Sequence, residues 1–306
     1  MVKTSALHKI EDGVFPSSFR DNSHIYYKHY LPLKKLASKK KIVHVIFQHG
    51  MIEYHRRHDD LFDALRCHFG GEVIISVMDL FGHGLSGGHR GYIDKFETFT
   101  KDYLNFLEHC NKKFYQEKSR EITTVMISHS LGSLVVLRTM TNQEYKIPFR
   151  VDSFIFSNPC IKPKIALPKT VFQFLSNLPD ALSLVRVPLI YNAYDLSHDK
   201  EKAISFLHDH LISKSITIQL GVETANATKK INTLSYFIQT PSLFLISGDD
   251  RVVDAEKTKL FISGMDKKFV RTLNYPKMRH DILNETCRKD VFKEIIKFIG
   301  DTRKRL

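Results

Sequence analysis

The sequence predicts an α/β fold with a mostly parallel central sheet flanked by helices, and three observations carry that prediction. Short, nearly continuous apolar runs recur along the chain, as strands buried on both faces of a sheet require. Between them lie segments whose apolar residues return at helical spacing. One run, Thr123-Thr124-Val125-Met126-Ile127, ends in a corner of small residues and is followed at once by Leu134-Val135-Val136-Leu137, which reads as the start of a helix. Strands alternating with helices give a parallel sheet.

In chain order, Val14 to Phe19 and His24 to Tyr30 read as two short strands joined by the turn Arg20-Asp21-Asn22-Ser23. Ile42 to Phe47 is a buried strand ending in Gln48-His49-Gly50-Met51. A helix carrying Leu61, Phe62 and Leu65 follows, then a strand from Glu72 to Met78 and the glycine-rich loop Asp79 to Gly88. Asp94 and Glu97 are spaced as a helix cap and its reciprocal partner. Beyond them Phe96, Phe99, Tyr103, Phe106, Leu107, Cys110 and Phe114 mark a helix packed on the sheet. Phe154 to Phe156, Ser242 to Ser247 and Val270 to Leu273 supply three more strands, and Val291, Phe292, Ile295, Ile296 and Ile299 give an amphipathic closing helix. From about 159 to 239 the alternation breaks: prolines punctuate it, and Val171, Phe172, Phe174, Leu175, Leu178 and Leu182 cluster at helix-like spacing. This insertion reads as a helical cap, or lid, over the C-terminal edge of the sheet, with an ordinary buried helical pair as the other reading. The 306 residues form a single domain containing that insertion.

At 42% hydrophobic residues the chain can bury a large core. Cys67, Cys110, Cys160 and Cys287 form no C-x-x-C pair, which argues against a zinc site or a disulfide framework and fits a reducing compartment. The first residues contain no apolar leader core, and no apolar run approaches the roughly 20 residues of a membrane span. The expectation is a soluble, cytoplasmic protein. Net charge is +13; from Arg251 to Leu306 there are 15 Lys/Arg against 8 Asp/Glu, an excess of +7, and Lys34, Lys35, Lys39, Lys40 and Lys41 form a second cluster. A solvated face explains this charge, and so does attraction to anionic lipid, at about 1 kcal/mol per basic residue near the surface. Nothing resembles a nucleic-acid module, so no nucleic-acid partner is expected.

The corner Ser128-His129-Ser130-Leu131-Gly132-Ser133 has the strand–turn–helix context of a nucleophile elbow with Ser130 at its tip. Strand and helix backbones crowd such a corner, so the positions two before and two after the serine must be small. Gly132 meets that demand, and Ser128, where a glycine is usual, adds only a hydroxymethyl group. A serine nucleophile needs a base, a group that orients the base, and donors for the oxyanion. Downstream, Gly248-Asp249-Asp250-Arg251 follows one strand and His280 follows the last. Both fall in loops at strand C-termini, where open α/β sheets place their sites.

These residues carry a family resemblance. His49-Gly50 with Glu53, Asp79 with Gly82-His83-Gly84 and Ser86, His129-Ser130 with Gly132, Pro241, Gly248 with Asp250-Arg251, and His280 before the last helix are its landmarks. Asp195-Leu196-Ser197-His198-Asp199 and Ile216-Thr217 extend it into the insertion. The chain resembles the monoacylglycerol lipase and lysophospholipase branch of the α/β-hydrolase fold, from about residue 13 to the C-terminus. The resemblance implies a serine hydrolase that cleaves the carboxylic ester of single-chain lipids, using no metal or cofactor. Carried onto this chain, Ser130 is the nucleophile, His280 the general base and Asp250 its orienting acid, with Asp249 as the competitor one register away. Asp254 reads as a helix cap. The backbone N–H groups of Met51 and Leu131 form the oxyanion hole.

His49, His83 and His129 read as structural, and the glycines of the 79–88 loop as a tight turn, since no G-x-x-x-x-G-K pattern is present. His55, His58, Asp59 and Asp60 match no metal-ligand spacing and read as a solvated helix start. Phe81 departs from the arginine the family often carries. The apolar cap and basic surface suggest transient peripheral contact with anionic membranes. A broad-specificity carboxylesterase or thioesterase would use the same residues; a non-catalytic binding protein on the same fold would not need them. A dehalogenase or epoxide hydrolase would want an aspartate at the elbow.

Overall fold

The structure is a computed structural model describing residues 8–19, 22–33, 41–117, 121–164, 184–189, 191–231 and 234–305. Its sheet is built from β1 (His8–Pro16), β2 (His24–Pro32), β3 (Ile42–Gln48), β4 (Val73–Met78), β5 (Ile122–His129), β6 (Ser153–Ser157), β9 (Ser242–Ser247) and β10 (Val270–Tyr275). The spatial order is β1-β2-β4-β3-β5-β6-β9-β10. From β4 to β10 every pairing is parallel; β1 and β2 join antiparallel at one edge, with His8 opposite Pro32. β1 starts well before Val14 and stops at Pro16. It is an edge strand in which Lys9, Ile10 and Asp12 are exposed and Glu11 is half-buried, so its first half carries no apolar run. Arg20, Asp21 and Lys34 to Lys40 lie outside the described residues.

Alternation along the strands divides the core between two helical layers. Ile42, Ile46 and Met126 face α2 (Phe96–Phe114), α3 (Leu131–Met140) and α6 (Ile218–Ile231). Val43, Val45, Phe47, Val125 and Ile127 face α1 (Asp59–Phe69) and α8 (Arg288–Arg305). The central strands are covered on both sides, and their apolar runs are therefore continuous. The capping box expected at Asp94 and Glu97 is absent. The helix begins at Phe96, whose N–H donates to Glu223 Oε2 of α6 at 2.8 Å, while Asp94 accepts from the Thr98 hydroxyl. A carboxylate distant in sequence does the capping, which local spacing could not reveal.

Between β6 and β9 the chain forms β7 (Arg186–Pro188), α4 (Ala193–Leu196), α5 (Lys200–His208), β8 (Ser215–Thr217) and α6; α7 (Ala255–Ser263) follows β9. Val171, Phe172, Phe174, Leu175, Leu178 and Leu182 lie outside the described residues. Ala193, Leu196, Ala203, Phe206 and Ile212 of this insertion bury themselves against Ile52 and Tyr54 from the loop after β3.

A buried polar seam crosses the α2 side of the sheet. The Ser76 hydroxyl lies 2.8 Å from His29 Nδ1 and 2.7 Å from His44 Nε2, and His44 Nδ1 lies 2.8 Å from the Tyr115 hydroxyl. Burial lowers the His29 pKa to about 2 and the His44 pKa to about 3. Both values lie below the ordinary 6.5, so the unfolded chain binds more protons and the stabilisation is complete only above that pH. Each histidine should then remove about 1.4 kcal/mol of stability per pH unit as pH falls below its unfolded value. Urea unfolding from pH 7 to 5 should show this slope, and His44→Gln should flatten it by about one proton's share.

Candidate active site

β5 and α3 meet at Ser130, whose φ of +49° and ψ of −119° lie in a region that non-glycine residues rarely adopt. Packing enforces the strain. A Cβ on Gly132 would sit 2.3 Å from the His49 carbonyl oxygen and 2.5 Å from that of Gln48, so α3 begins in backbone contact with the end of β3. Ser128 fits because its hydroxyl turns toward α3 and donates to Ser133 Oγ at 3.1 Å.

Ser130 Oγ lies 2.8 Å from His280 Nε2, and His280 Nδ1 lies 2.7 Å from Asp250 Oδ2. The other Asp250 oxygen accepts from the N–H groups of Val252 at 2.8 Å and Val253 at 2.9 Å. Burial by itself would raise the Asp250 pKa, but the charge and hydrogen bond of His280 and these two amides hold it below the ordinary value. For His280 burial acts downward, and Asp250 outweighs it to raise the imidazole pKa. Asp249, one residue away, is half-exposed and lies 3.7 Å from both Arg251 and Arg279. Asp254 caps α7, accepting from Lys257 N at 3.1 Å.

Leu131 opens α3, so its N–H has no intrahelical acceptor; among the described residues neither it nor the Met51 N–H donates to a protein group. The loop carrying Met51 is fixed from below. Glu53 Oε1 accepts from Gly50 N at 2.6 Å and from His58 Nε2 at 3.0 Å. Burial would raise the Glu53 pKa, yet His58, His129 and Arg57 keep it well below its ordinary value. A Cβ on Gly50 would lie 3.1 Å from that of Ser130, and Ile52, at φ +61°, is buried in one cluster with Ala193, Leu196 and Phe206 of the insertion.

The remaining histidines tie loops together. His49 Nε2 accepts from Leu80 N at 2.9 Å while Nδ1–H donates to the Gly50 carbonyl; His83 Nδ1–H donates to that of Phe81. His129 packs against His280 with ring centres 5.0 Å apart and planes tilted by 47°, and burial lowers its pKa to about 4. The 79–88 loop wraps Asp79, which accepts from His55 and Leu85. His58, Asp59 and Asp60 serve separate partners: Glu53, the Tyr30 hydroxyl, and Lys202 with Arg288. Among the described residues no group of three or more such side chains is arranged to hold a metal. Phe81 packs against Phe19 in the core.

Two contributors are invisible in the motif. Asn158, at φ +41°, donates through Nδ2 to the His280 carbonyl at 2.6 Å and to Ser247 Oγ, while its Oδ1 accepts from Ser247 N. Its only signal was an asparagine, tolerant of that conformation, between a strand and Pro159. Arg57 and Asp281 form a buried pair at 2.8 Å directly beside His280, with no local sequence signature.

The family model Hydrolase_4, described as serine aminopeptidase, S33, matches residues 39–287. The uncharacterized protein YnbC of Escherichia coli K12 is 27% identical over 287 residues, covering 92% of this chain but 45% of that protein, so the chain spans less than half that relative's length. Phospholipase YtpA of Bacillus subtilis is 22% identical over 250 residues, 81% of this chain and 92% of that one. Among solved structures, a soluble variant of monoglyceride lipase from Saccharomyces cerevisiae superposes with TM-score 0.76 at 18% identity, over 97% of this chain and 95% of that chain. The shared fold is the α/β-hydrolase fold.

The elbow contact has a measurable consequence. Gly132→Ala should lower stability by more than about 2 kcal/mol, since its methyl meets backbone that cannot rotate away. Gly300→Ala, in open space on α8, should raise it by roughly 0.5–1 kcal/mol. Thermal unfolding of both variants checks the contrast.

Proposed function

The chain belongs to the Hydrolase_4 family, and from that premise we propose that it cleaves the carboxylic ester of single-chain lipids, monoacylglycerols or lysophospholipids, through an acyl-enzyme on Ser130. The observation that carries this reading is the unbroken hydrogen-bonded chain from Ser130 Oγ through His280 to Asp250. His280 takes the Ser130 proton as the hydroxyl attacks the ester carbonyl. Asp250 holds the ring in the Nδ1–H tautomer and stabilises the imidazolium. The N–H groups of Met51 and Leu131 receive the developing oxyanion. His280 then protonates the leaving alcohol, and water, activated by the same nitrogen, releases the fatty acid.

The family description names a peptidase, but the electrostatics favour an uncharged ester. A peptide's free amine would want an unengaged carboxylate. Those beside Ser130 are committed: Asp250 to His280, Glu53 to Gly50 and His58, Asp281 to Arg57. The insertion meets the site with apolar side chains, which suits an acyl chain, and YtpA is named a phospholipase. The reading takes residues 1–306 as one hydrolase unit with its cap at roughly 159–239. Exposed Leu184, Val185, Val187, Tyr194, Ile204 and Leu207 on the insertion support transient contact with a lipid surface. Among the described residues no helix is long and apolar enough to cross a membrane.

A fluorophosphonate should label wild type at Ser130, and Ser130→Ala and His280→Ala should abolish fatty-acid release. Asp250→Asn should cost about 10³–10⁴ in kcat. The raised His280 pKa means kcat/KM should fall with decreasing pH through a midpoint above 6.5, because the imidazolium cannot accept a proton; Asp250→Asn should move that midpoint down. Assays on monoacylglycerol, lysophospholipid and p-nitrophenyl esters of rising length name the head group and chain. A wild type that is unlabelled and inert on all three would end the reading.

A further inference from the structure

Asp249 is the residue that chain order alone could not separate from Asp250. Its carboxylate stands between two guanidinium groups, 3.7 Å from Arg251 and 3.7 Å from Arg279. These arginines directly follow Asp250 and directly precede His280. Each reaches on to the same short piece of the cap. Arg251 Nη1 donates to Asp195 Oδ1 at 2.7 Å, and Arg279 Nη1 donates to the Tyr194 carbonyl and, at 3.5 Å, to that of Ser197. The contacts close a ring: cap, Arg251, Asp249, Arg279, cap.

The cap side of the ring is itself ordered. Asn192 and Asp195 form a capping box at the start of α4, so one Asp195 oxygen is occupied by Asn192 N at 2.9 Å and the other is turned toward Arg251. Beside the ring, Asp281 N donates to the Leu196 carbonyl at 2.8 Å and the Ser197 hydroxyl to that of Asn284 at 2.9 Å. Thus the loop bearing the acid and the loop bearing the base are both fastened to residues 194–197.

We propose that Asp195, Asp249, Arg251 and Arg279 are positioning residues, a clip through which cap segment 192–197 holds the Asp250 and His280 loops in register. The proposal rests on the roles given above to Ser130, His280 and Asp250. None of the four need touch substrate. Their side chains are about a fifth to a half exposed, so they add little to global stability; what they supply is a cap-borne tether between two loops that also meet at His280 and Asp250 and through the Asp249 N–H, which donates to the Met278 carbonyl at 3.1 Å. When the segment lifts, both loops lose a tether together.

The test compares wild type with Asp195→Asn, Arg251→Gln, Arg251→Lys and the Asp195→Asn/Arg251→Gln double variant on p-nitrophenyl butyrate, a soluble ester that needs no lipid surface. Each neutralising variant should lower kcat about tenfold with KM within about twofold, the scale of a small misplacement. The double variant should be no slower than the slower single, because both break one contact, and Arg251→Lys should recover most of the loss. Hydrogen–deuterium exchange should quicken in residues 249–253 and 278–282 of Asp195→Asn and stay unchanged in β5 and α3. Unchanged kcat in labelled enzyme, losses that multiply, a loss confined to KM, or unchanged exchange in these loops would each overturn the clip. A wild type that no fluorophosphonate labels would instead sink the hydrolase reading, while the exchange measurement still judges the clip.

Discussion

The site depends on one close approach of backbone to backbone. Because Gly132 has no side chain, α3 starts against the carbonyls of Gln48 and His49, and the turn between β5 and α3 must then pass through the strained conformation of Ser130. The same approach brings Gly50 against the Ser130 Cβ. Elbow and neighbouring loop are therefore one packing unit, and the Ser130 hydroxyl cannot be moved without moving the end of β3. Asn158 does on the other flank what Gly132 does on this one, binding the ends of β6 and β9 to the His280 carbonyl.

Charge is arranged with the same completeness. Burial favours the neutral form of a carboxylic acid, yet Asp79, Glu53, Asp250 and Asp281 all titrate below their ordinary values, because each has a histidine or arginine partner. The histidines that touch backbone, His49, His83 and His129, are lowered as well, in their case by burial, which favours the neutral ring. His280 stands apart, raised by the carboxylate behind it. Fixed charges of this kind need no rearrangement when charge develops during a reaction.

Strand and helix placement was legible because burial on both faces writes a pattern into β3, β4, β5, β6 and β9, and because the aromatic stripe of α2 repeats at helical spacing. Loop position likewise pointed to Ser130, His280 and the Asp249–Asp250 pair, of which Asp250 is the one that lies against His280. What stayed hidden has a common physical character: it depends on partners remote in sequence. Glu223 capping α2, Arg57 joined to Asp281, and Asn158 gripping the His280 loop are contacts across 127, 224 and 122 positions, and no local period encodes them. The early start of β1 was missed for a different reason: an edge strand buries little, and the exposed Lys9, Ile10 and Asp12 of its first half form no apolar run.

The two kinds of fastening divide the molecule's work. Around the elbow, the contacts are buried, short and made largely by backbone, which makes them costly to open. Between core and insertion, many are made by charged side chains in contact with water: Arg251 with Asp195, Arg288 with Asp199, Lys202 with Asp60. Such pairs are worth little individually and break and re-form without disturbing the sheet. The apolar cluster of Ile52 and Tyr54 with Ala193, Leu196 and Phe206 is the exception, since it packs the insertion on the loop after β3. The Arg251 and Arg279 contacts thus reach the acid and base loops, while the strain at Ser130 is kept by the close approach of Gly132 to the carbonyls of Gln48 and His49.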